Sequence, residues 1–259
     1  LNTNAQWLGE RITGAGAIVK RVTVVGDQLQ DISAAVKEVL ERKPSLVIMT
    51  GGLGPTYDDM TLEGVALGFG RRLALAPAAV EMLRKSYSRQ MQNYDLNETR
   101  LKMARIPEGS VPIQNPVGTA PAVSIRVENL KAGESEGRKL TIFCLPGVPS
   151  EMEAIFLDKI LPGIHKEVGS FFSDEILYRV RGITEAMIAP AISEIARSEQ
   201  AVYIKTYPAG YEGPVPMLRL QIISKGKDAL EVTVRLERIS KGILAEIGRL
   251  GGSTTVIEE

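Results

Sequence analysis

A short apolar segment that runs directly into a glycine-rich loop is the feature that most constrains the fold. Residues 45–50, Ser-Leu-Val-Ile-Met-Thr, are typical of a strand buried on both faces of a parallel sheet. Helices are predicted over about 5–13, from Leu29 to Lys43-Pro44 and over about 61–68, with a Val- and Ile-rich strand over 17–25. This alternation predicts an α/β fold with three layers around a mostly parallel sheet, in which ligands bind beyond the carboxyl ends of the strands.

The pattern of predicted elements changes near residue 169. Before it, helices are predicted over 78–91 and 97–103 and strands over 110–113, 121–128 and 139–145, with a surface hairpin loop over 131–138. After it the predicted order is β-α-β-β-α-β, with strands over 176–180, 201–205, 217–224 and 254–257 and helices over 184–197 and 228–250. Thr206-Tyr207-Pro208 is predicted to lie in a Pro- and Gly-rich loop. We therefore predict two domains, 1–167 and 168–259, the second a small α+β domain of split βαβ order.

The balance of charges argues against a nucleic-acid partner. The chain has 31 Lys and Arg and 31 Asp and Glu, for a net charge of +0, whereas a protein that grips duplex nucleic acid needs a basic surplus. The β-α-β-β-α-β order also occurs in RNA-binding domains, but the sequence shows no aromatic stacking motif or basic stripe. The charge balance does not exclude a local basic patch. We expect a small-molecule ligand and no nucleic-acid partner.

The scarcity of cysteine and histidine limits the kinds of metal site. With Cys144 and His165 as the sole residues of these types, an internal disulfide and a Cys₄ or Cys₂His₂ zinc site are excluded. A metal would depend on carboxylates, carbonyls, water and substrate phosphates, as Mg²⁺ does. No apolar run reaches about 18 residues and no signal peptide is visible, so we expect a cytoplasmic protein without a membrane partner.

The loop that follows residue 50 has the composition of an anion-binding loop. Gly51, Gly52 and Gly54 let the backbone approach an anion and point N–H groups at it, and the next helix adds its positive end. The hydroxyls that can add hydrogen bonds belong to Thr50, Thr56 and Thr61. The loop lacks the Gly-Lys-Ser/Thr ending of a P-loop and the third glycine of a dinucleotide fingerprint. The alternative is a tight turn that merely needs small residues.

Two adjacent acids complete this loop. Asp58 and Asp59 could hold a divalent cation beside a phosphate, or one could orient a nucleophile. The alternative is that one of them, or Thr61, caps the following helix.

Two further loops could line the same crevice. Residues 115–121 carry Asn115 and Gly118, and residues 145–151 join a strand end to a helix start through Pro146, Gly147 and Glu151. Each could also be an ordinary turn, since prolines and glycines set turns without any ligand. Their convergence is expected from the fold rather than from the sequence of either loop.

These motifs together resemble one known family. The stretches that carry the resemblance are Asn2-Thr3-Asn4-Ala5, Val25-Gly26-Asp27, Thr50 through Thr61, Asn115 with Gly118 and Ala120-Pro121, and Leu145-Pro146-Gly147-Val148-Pro149-Ser150-Glu151-Met152. They resemble the amino-terminal domain of the CinA family (competence/damage-inducible protein A), and the resemblance covers nearly the whole chain. That domain is similar to the molybdopterin-binding fold of the MoaB, MogA and gephyrin type.

The resemblance implies a function and roles for residues. It implies a metal-dependent pyrophosphatase acting on ADP-ribose or a related nucleotide, with a divalent cation (Mg²⁺, Mn²⁺ or Co²⁺). Gly51, Gly52 and Gly54 would cradle phosphate, Asp58 and Asp59 would bind metal or position the attacking water, and Asn115, Gly118 and Pro146-Gly147 would line the cleft. A homodimer is plausible for such a protein.

Two features of the family lie outside the printed sequence. Its opening strand, with a Gly-Asp/Asn-Glu-Leu-Leu segment, would precede Asn2, and its carboxy-terminal amidohydrolase domain would follow, so deamidation of nicotinamide mononucleotide is not expected. Two alternatives to the pyrophosphatase remain open. The first is a transferase or carrier of molybdopterin in molybdenum cofactor synthesis, and the second is a non-enzymatic binding module.

Overall fold

The described residues fall into two compact units, each with its own core. The computed structural model describes residues 2–90, 94–127 and 139–257. The first unit comprises the chain up to residue 11 and residues 19–163, and the second comprises residues 12–18 and the chain from residue 164 onward. The hairpin loop predicted over 131–138 lies outside the described residues.

The first unit and the helices at its borders contain seven helices and six strands among the described residues. In chain order they are α1 (Thr3–Gly14), α2 (Leu29–Arg42), β1 (Leu46–Thr50), α3 (Thr61–Gly68), β2 (Leu73–Leu75), α4 (Pro77–Gln90), α5 (Glu98–Leu101), β3 (Arg105–Pro107), β4 (Val111–Ile113), β5 (Ala122–Val127), β6 (Leu140–Leu145), α6 (Pro149–Ile155) and α7 (Leu161–Val168). A 3₁₀ turn (Lys102–Ala104) follows α5, and a π turn (Phe156–Ile160) joins α6 to α7.

A mixed sheet in the order β1-β6-β5-β4 forms the centre of this unit. Strands β1 and β6 are parallel, whereas the β5–β6 and β4–β5 pairs are antiparallel. Helices α2 and α3 pack against it through a core that includes Ile32, Val65 and Ile142. The predicted α/β class is confirmed, but the described sheet is mixed and not mostly parallel as predicted, since one of its three strand pairs is parallel. The carboxyl ends of β1 and β6 lie side by side because these two strands run in the same direction.

The strand predicted over 17–25 is wrong. These residues form no regular element, and Ile18 and Val24 are each 80% exposed. A run of β-branched residues forms a strand only when a neighbouring strand is available for pairing, and no described strand pairs with this segment. For the same reason β1, predicted to be buried on both faces, is only half-buried, because within the described chain it pairs with β6 alone.

The two-stranded sheet of β2 and β3 was missed by the sequence analysis. Each strand is three residues long, and the pairing joins Leu73 to Pro107 and Leu75 to Arg105. A strand this short has too few residues to show alternation, so no periodic signal marks it.

The second unit has the predicted β-α-β-β-α-β order. Its elements are β7 (Phe172–Arg181), α8 (Glu185–Ser198), β8 (Val202–Glu212), β9 (Val215–Gly226), α9 (Ala229–Arg249) and β10 (Ser253–Val256). The strands pair antiparallel in the order β10-β7-β9-β8. Both helices pack on one face of this sheet, where Leu220, Ile188 and Ile243 lie in the core.

The prediction of a Pro- and Gly-rich loop around Tyr207 is wrong, because these residues form the second half of β8, which pairs with β9 in a long hairpin. Strand β8 continues through Thr206-Tyr207-Pro208, and the pairing with β9 shifts register between Pro208 and Tyr211. This irregularity lets Gly210, at φ 84°, sit within the strand. None of the helices in the described ranges is long and apolar enough to cross a membrane.

Candidate functional site

The loops that follow β1 and β6 meet through their backbones. Thr50 lies opposite Leu145 at the ends of the two parallel strands, and the Gly51 N–H donates to the Leu145 carbonyl at 3.0 Å. A Cβ on Gly147 would lie 3.2 Å from the Gly51 Cα. The predicted convergence of these two loops is therefore present, and it requires glycine because a side chain on Gly147 would press on the neighbouring backbone.

Thr61, the first residue of α3, closes the glycine-rich loop. Its hydroxyl donates to the Gly51 carbonyl at 2.8 Å, and its N–H donates to the Gly52 carbonyl at 3.2 Å. Gly51 and Gly52 have φ of 95° and 67°, a region in which side chains are disfavoured. A Cβ on Gly52 would also overlap the Thr61 hydroxyl. The Thr61 hydroxyl thus holds the loop in shape instead of facing a ligand.

Two backbone N–H groups of the loop have no hydrogen-bond acceptor within the described residues. Within the described ranges, the N–H groups of Gly52 and Leu53 donate to no acceptor of the chain. A backbone donor without a partner is unfavourable unless water or a ligand satisfies it. Successive N–H groups at positive-φ residues form the concave arrangement that binds anions.

The two acids of the loop have different surroundings. The Asp59 Oδ2 accepts from the Thr56 N–H at 2.8 Å, and the Thr56 hydroxyl lies 2.5 Å from both Asp59 Oδ2 and Asp58 Oδ1. Asp59 is half-buried and Asp58 is exposed. The Thr56 hydroxyl has one proton and can donate it to one carboxylate at a time. Asp59 also accepts from the Thr56 N–H, so Asp59 is the acid that the loop holds, and Asp58 is the acid whose oxygens are more available.

The pKa of Asp59 is lowered from its ordinary value of 3.8. Partial burial raises the pKa of this carboxyl, but hydrogen bonds from Thr56 and from the Gly54 N–H, together with the charge of Lys102, outweigh that effect. Lys102 also donates from Nζ to the Thr56 carbonyl. Asp59 is therefore a carboxylate at neutral pH, and its contacts fix the path of residues 54–59.

The second loop is organised by Asn115, whose side chain is fully buried. Its Oδ1 accepts from the N–H groups of Val117 and Gly118 at 3.1 and 2.7 Å, and its Nδ2 donates to the Ala120 carbonyl at 3.0 Å. Nδ2 also donates to Glu151 Oε2 at 2.6 Å. Because each polar atom of this amide is engaged by the protein, Asn115 positions its loop and leaves no group for a ligand.

Glu151 joins the second loop to the third. It lies in the first turn of α6, and a Cβ on Gly118 would overlap its carboxyl group. The structure thus brings the 115–121 and 145–151 loops together through Asn115, Gly118 and Glu151, and the 145–151 and 51–61 loops together through Gly51 and Gly147. Pro146 lies between the end of β6 and this contact.

Three residues at these loops were missed by the sequence analysis. Asn4 donates from Nδ2 to the Gly147 carbonyl at 2.8 Å, Arg89 donates to the Asn115 and Pro116 carbonyls at 3.2 and 3.1 Å, and Lys102 reaches Thr56. Each is far in sequence from the loop that it contacts. Only the Asn4 motif carried a signal, as part of the stretch that supports the family resemblance.

The donor set limits what kind of cation could bind. No cluster of three or more His, Cys, Asp or Glu residues suited to a metal is found in the described part of the chain. Asp58 and Asp59 are thus the acids available beside the loop, which fits a hard cation held by one or two carboxylates plus water and phosphate. Cys144 is fully buried, and desolvation raises the pKa of its thiol to about 12, so it is neither a nucleophile nor a ligand.

Comparison with known proteins identifies the family of this chain. Residues 1–166 match the model of a family described as a probable molybdopterin binding domain. The chain belongs to this family. The matched span contains all three loops.

Several relatives of this chain match almost its whole length. A protein of Metallosphaera sedula is 38% identical over 253 residues, covering 98% of this chain and 90% of its own length. A protein of Aeropyrum pernix is 39% identical over 253 residues with the same coverage. Among solved structures, the CinA protein of Thermoplasma acidophilum is 40% identical, covers 65% of this chain and 88% of its own, and has a TM-score of 0.50. The predicted resemblance to CinA and to the molybdopterin-binding fold is confirmed.

Proposed function

We propose that the 51–61, 115–121 and 145–151 loops bind the phosphates of a nucleotide, and that the chain hydrolyses the pyrophosphate bond of ADP-ribose or a related nucleotide. The observation that carries the proposal is the pair of unpartnered N–H groups on Gly52 and Leu53 beside the exposed carboxylate of Asp58. Backbone donors that bind phosphate, beside a carboxylate that can orient water, are suited to hydrolysis of a phosphate bond.

Asp58 and Asp59 share one proposed role, in holding a cation, and differ in a second. Asp58 and Asp59 would hold a divalent cation whose shell is completed by water and phosphate oxygens, and the cation would offset the charge that develops on phosphate. Asp59 is fixed by Thr56 and keeps the loop in register. Asp58, which is exposed, accepts a hydrogen bond from the attacking water and orients it.

The reaction consumes one water. The water oxygen forms a bond to one phosphorus, the bridging P–O bond breaks, and AMP and ribose phosphate leave, with the water proton released to solvent or to a carboxylate. Binding of the phosphates by Gly52 and Leu53 N–H groups fixes the phosphorus opposite the water, which lowers the entropic part of the barrier. Lys102 adds positive charge at the edge of the loop.

A screen of nucleotide pyrophosphates with Mg²⁺, Mn²⁺ or Co²⁺, read out as released AMP, tests the proposal. We expect turnover of ADP-ribose and a loss of roughly 10²–10⁴-fold in kcat for Asp58→Asn, with unchanged urea stability because the side chain is exposed. Asp59→Asn should lower both kcat and stability, since it removes contacts that shape the loop.

The matched control is Glu63→Gln, which neutralises an exposed acid two residues into α3. It should keep wild-type turnover. A double variant, Asp58→Asn with Asp59→Asn, that hydrolyses ADP-ribose at the wild-type rate would refute the assignment. Absence of turnover with every metal would favour a non-enzymatic binding module.

A second candidate is a molybdopterin carrier or transferase, which the family match over residues 1–166 favours. The same N–H groups would then bind the terminal phosphate of the pterin. Pterin fluorescence in the purified protein, followed by calorimetry with molybdopterin, tests this function. No heat of binding would exclude it.

A further inference from the structure

Within the described residues, both helices of the second unit lie on the same face of its sheet. Residues of each strand alternate between two faces, and the residues with core positions, among them Tyr178, Leu220 and Val202, lie under α8 and α9. Their neighbours in sequence therefore lie on the opposite face, called here the open face. The open-face residues are Ser173, Glu175, Leu177, Arg179, Arg181, Tyr203, Lys205, Tyr207, Glu212, Val215, Met217, Arg219, Gln221, Ile223, Lys225, Ser253 and Thr255.

Strand register places aromatic and basic side chains next to each other on the open face. Tyr207 pairs with Arg219, Arg219 pairs with Arg179, and Arg179 pairs with Thr255, so one row crosses all four strands. Tyr203 lies on the same strand as Tyr207, and the two are 53% and 42% exposed. Four residues of strand separate them by about 13 Å, so each ring is able to stack with a different base.

The open face is basic although the chain is neutral. Five of its residues are Lys or Arg and two, Glu175 and Glu212, are acidic, whereas the whole chain has 31 of each sign. Glu175 accepts from Gln221 Nε2 at 3.2 Å, and Gln221 Oε1 accepts from the Tyr207 hydroxyl at 3.0 Å. Arg181 forms an ion pair with Glu212 at 3.4 Å. Of the five cations, Arg179, Lys205, Arg219 and Lys225 take part in none of the ion pairs of the described residues, so the positive charge is concentrated at these four.

A depression on this face is large enough to hold part of a ligand. It has a volume of 410 Å³ and is lined by Leu177, Tyr207, Pro208, Ala209, Arg219 and Gln221. That volume lies within the range of small-molecule pockets. Its wall combines an aromatic ring, an amide and a guanidinium, the groups that stack on a base, hydrogen-bond to its edge and pair with a phosphate.

Contrary to the expectation from the overall charge balance, strand register assembles aromatic and basic side chains that are scattered in the sequence. We propose that the open face binds single-stranded RNA, with Tyr203 and Tyr207 stacking on bases and Arg179, Arg219 and Lys205 contacting phosphates. A four-stranded sheet that presents aromatic side chains is a recurring platform for single-stranded RNA. An acidic peptide would pair with the cations but would gain little from two separated rings. The Thr255 hydroxyl lies beside Arg179 in this row and can hydrogen-bond to the 2′-hydroxyl that distinguishes RNA from DNA.

Fluorescence anisotropy with a labelled single-stranded RNA of about ten nucleotides tests the proposal. We expect binding that weakens with salt, with a slope of log K against log salt of about −2 if three phosphates are contacted. Tyr203→Ala and Tyr207→Ala should each lower affinity roughly tenfold or more, and Arg219→Ala should make the salt slope shallower by about 0.7.

Two matched controls lie outside the open face. Tyr211→Ala removes a tyrosine of the same strand that is 72% exposed and pairs with Pro216, and Arg197→Ala removes an exposed arginine of α8. Both should bind RNA like the wild type. Two results together would overturn the proposal in favour of an acidic protein partner. Polyglutamate would displace the labelled RNA, and Tyr203→Ala and Tyr207→Ala would leave RNA affinity unchanged.

Equal or tighter binding of single-stranded DNA would also overturn the assignment to RNA, as would absence of RNA binding at low salt. The open face shares no residue with the phosphate loops, so Asp58→Asn should leave RNA binding unchanged. Failure of the pyrophosphatase proposal and failure of the RNA proposal are therefore separate outcomes.

Discussion

Thr56 is the residue on which both acids of the glycine-rich loop depend. Its hydroxyl serves Asp58 and Asp59 and its N–H serves Asp59 alone, so the geometry favours one acid as a structural anchor. A pair of adjacent aspartates in a sequence gives no indication of this division. It follows from contacts that form only when the loop has turned back on itself.

Acid should weaken the first unit through Asp59. The folded state lowers the pKa of Asp59 below its ordinary 3.8, so its contribution to stability is fully present above the unfolded-state pKa and is lost as pH falls through the lower folded-state pKa. We expect the urea midpoint to fall more steeply between about pH 5 and about pH 2 in wild type than in Asp59→Asn, whose amide does not titrate.

The fluorescence of Trp7, which packs edge-on against Phe156 at 5.5 Å in the first unit, reports this transition. Glu63→Gln keeps Asp59 and should keep the wild-type acid dependence. Equal slopes for wild type and Asp59→Asn would show that the Thr56 contacts contribute nothing to stability.

At the scale of elements, helices α2 and α3 approach each other closely at two glycines. A Cβ on Gly64 would lie 2.5 Å from Ile32 Cγ2, and a Cβ on Gly68 would lie 2.7 Å from Val36 Cβ. Both distances are shorter than a normal carbon–carbon contact. This close packing sets the position of α3, whose first residue, Thr61, closes the glycine-rich loop.

We expect Gly64→Ala to destabilise the first unit by about 1–3 kcal/mol, because the added methyl group overpacks the helix contact. Gly9→Ala, in α1 where no atom lies within 4 Å of the position that the new methyl group would take, should stabilise by about 0.5–1 kcal/mol through helix propensity. Urea denaturation followed by Trp7 fluorescence measures both.

Adding Ile32→Ala to Gly64→Ala makes room for the new methyl group, and the double variant should cost less than the sum of the two single variants. Strict additivity would mean that α3 moves away from α2 instead of pressing on Ile32.

The element order could largely be predicted from the sequence, whereas the site could be predicted only as a set of loops. Helical stripes such as that of α2 and the glycine breaks mark elements locally, so α2, α3 and the β-α-β-β-α-β order follow from pattern. Residues 17–25 show the limit, because a strand needs a partner that pattern does not reveal. The Asn115–Glu151 hydrogen bond and the row from Tyr207 to Thr255 depend on register and tertiary contact, which a single sequence does not encode in any local signal.

At the scale of the whole molecule, each of the two units has its own hydrophobic core, so each has its own free energy of unfolding. The first centres on residues such as Val65 and Ile142, and the second on residues such as Leu220 and Ile243. Each unit is therefore large enough to unfold as a unit of its own.

We expect Ile243→Ala, at a position with 0% exposure, to destabilise the second unit by about 2–5 kcal/mol while the Trp7 transition keeps its midpoint. Far-UV circular dichroism, which reports both units, would then show the second unit unfolding at a lower urea concentration. Trp7 fluorescence, which reports the first unit, would not change. Ile142→Ala, which is 1% exposed in the first core, should shift the fluorescence transition instead. Coincident shifts of both signals in either variant would indicate a single cooperative molecule.

The contact between Gly51 and Gly147 bears on how related chains could diverge. A side chain on Gly147 would press on the Gly51 backbone, and Gly51, at φ 95°, disfavours any side chain of its own. Asn115 and Thr61 are equally committed to holding the loops. Each loop nevertheless carries one large side chain that is more than half exposed: Tyr57 at 87%, Val117 at 54% and Val148 at 52%. Natural variation, or a laboratory library, would change ligand preference at these three positions at little risk to folding, so the same frame could serve several anionic substrates.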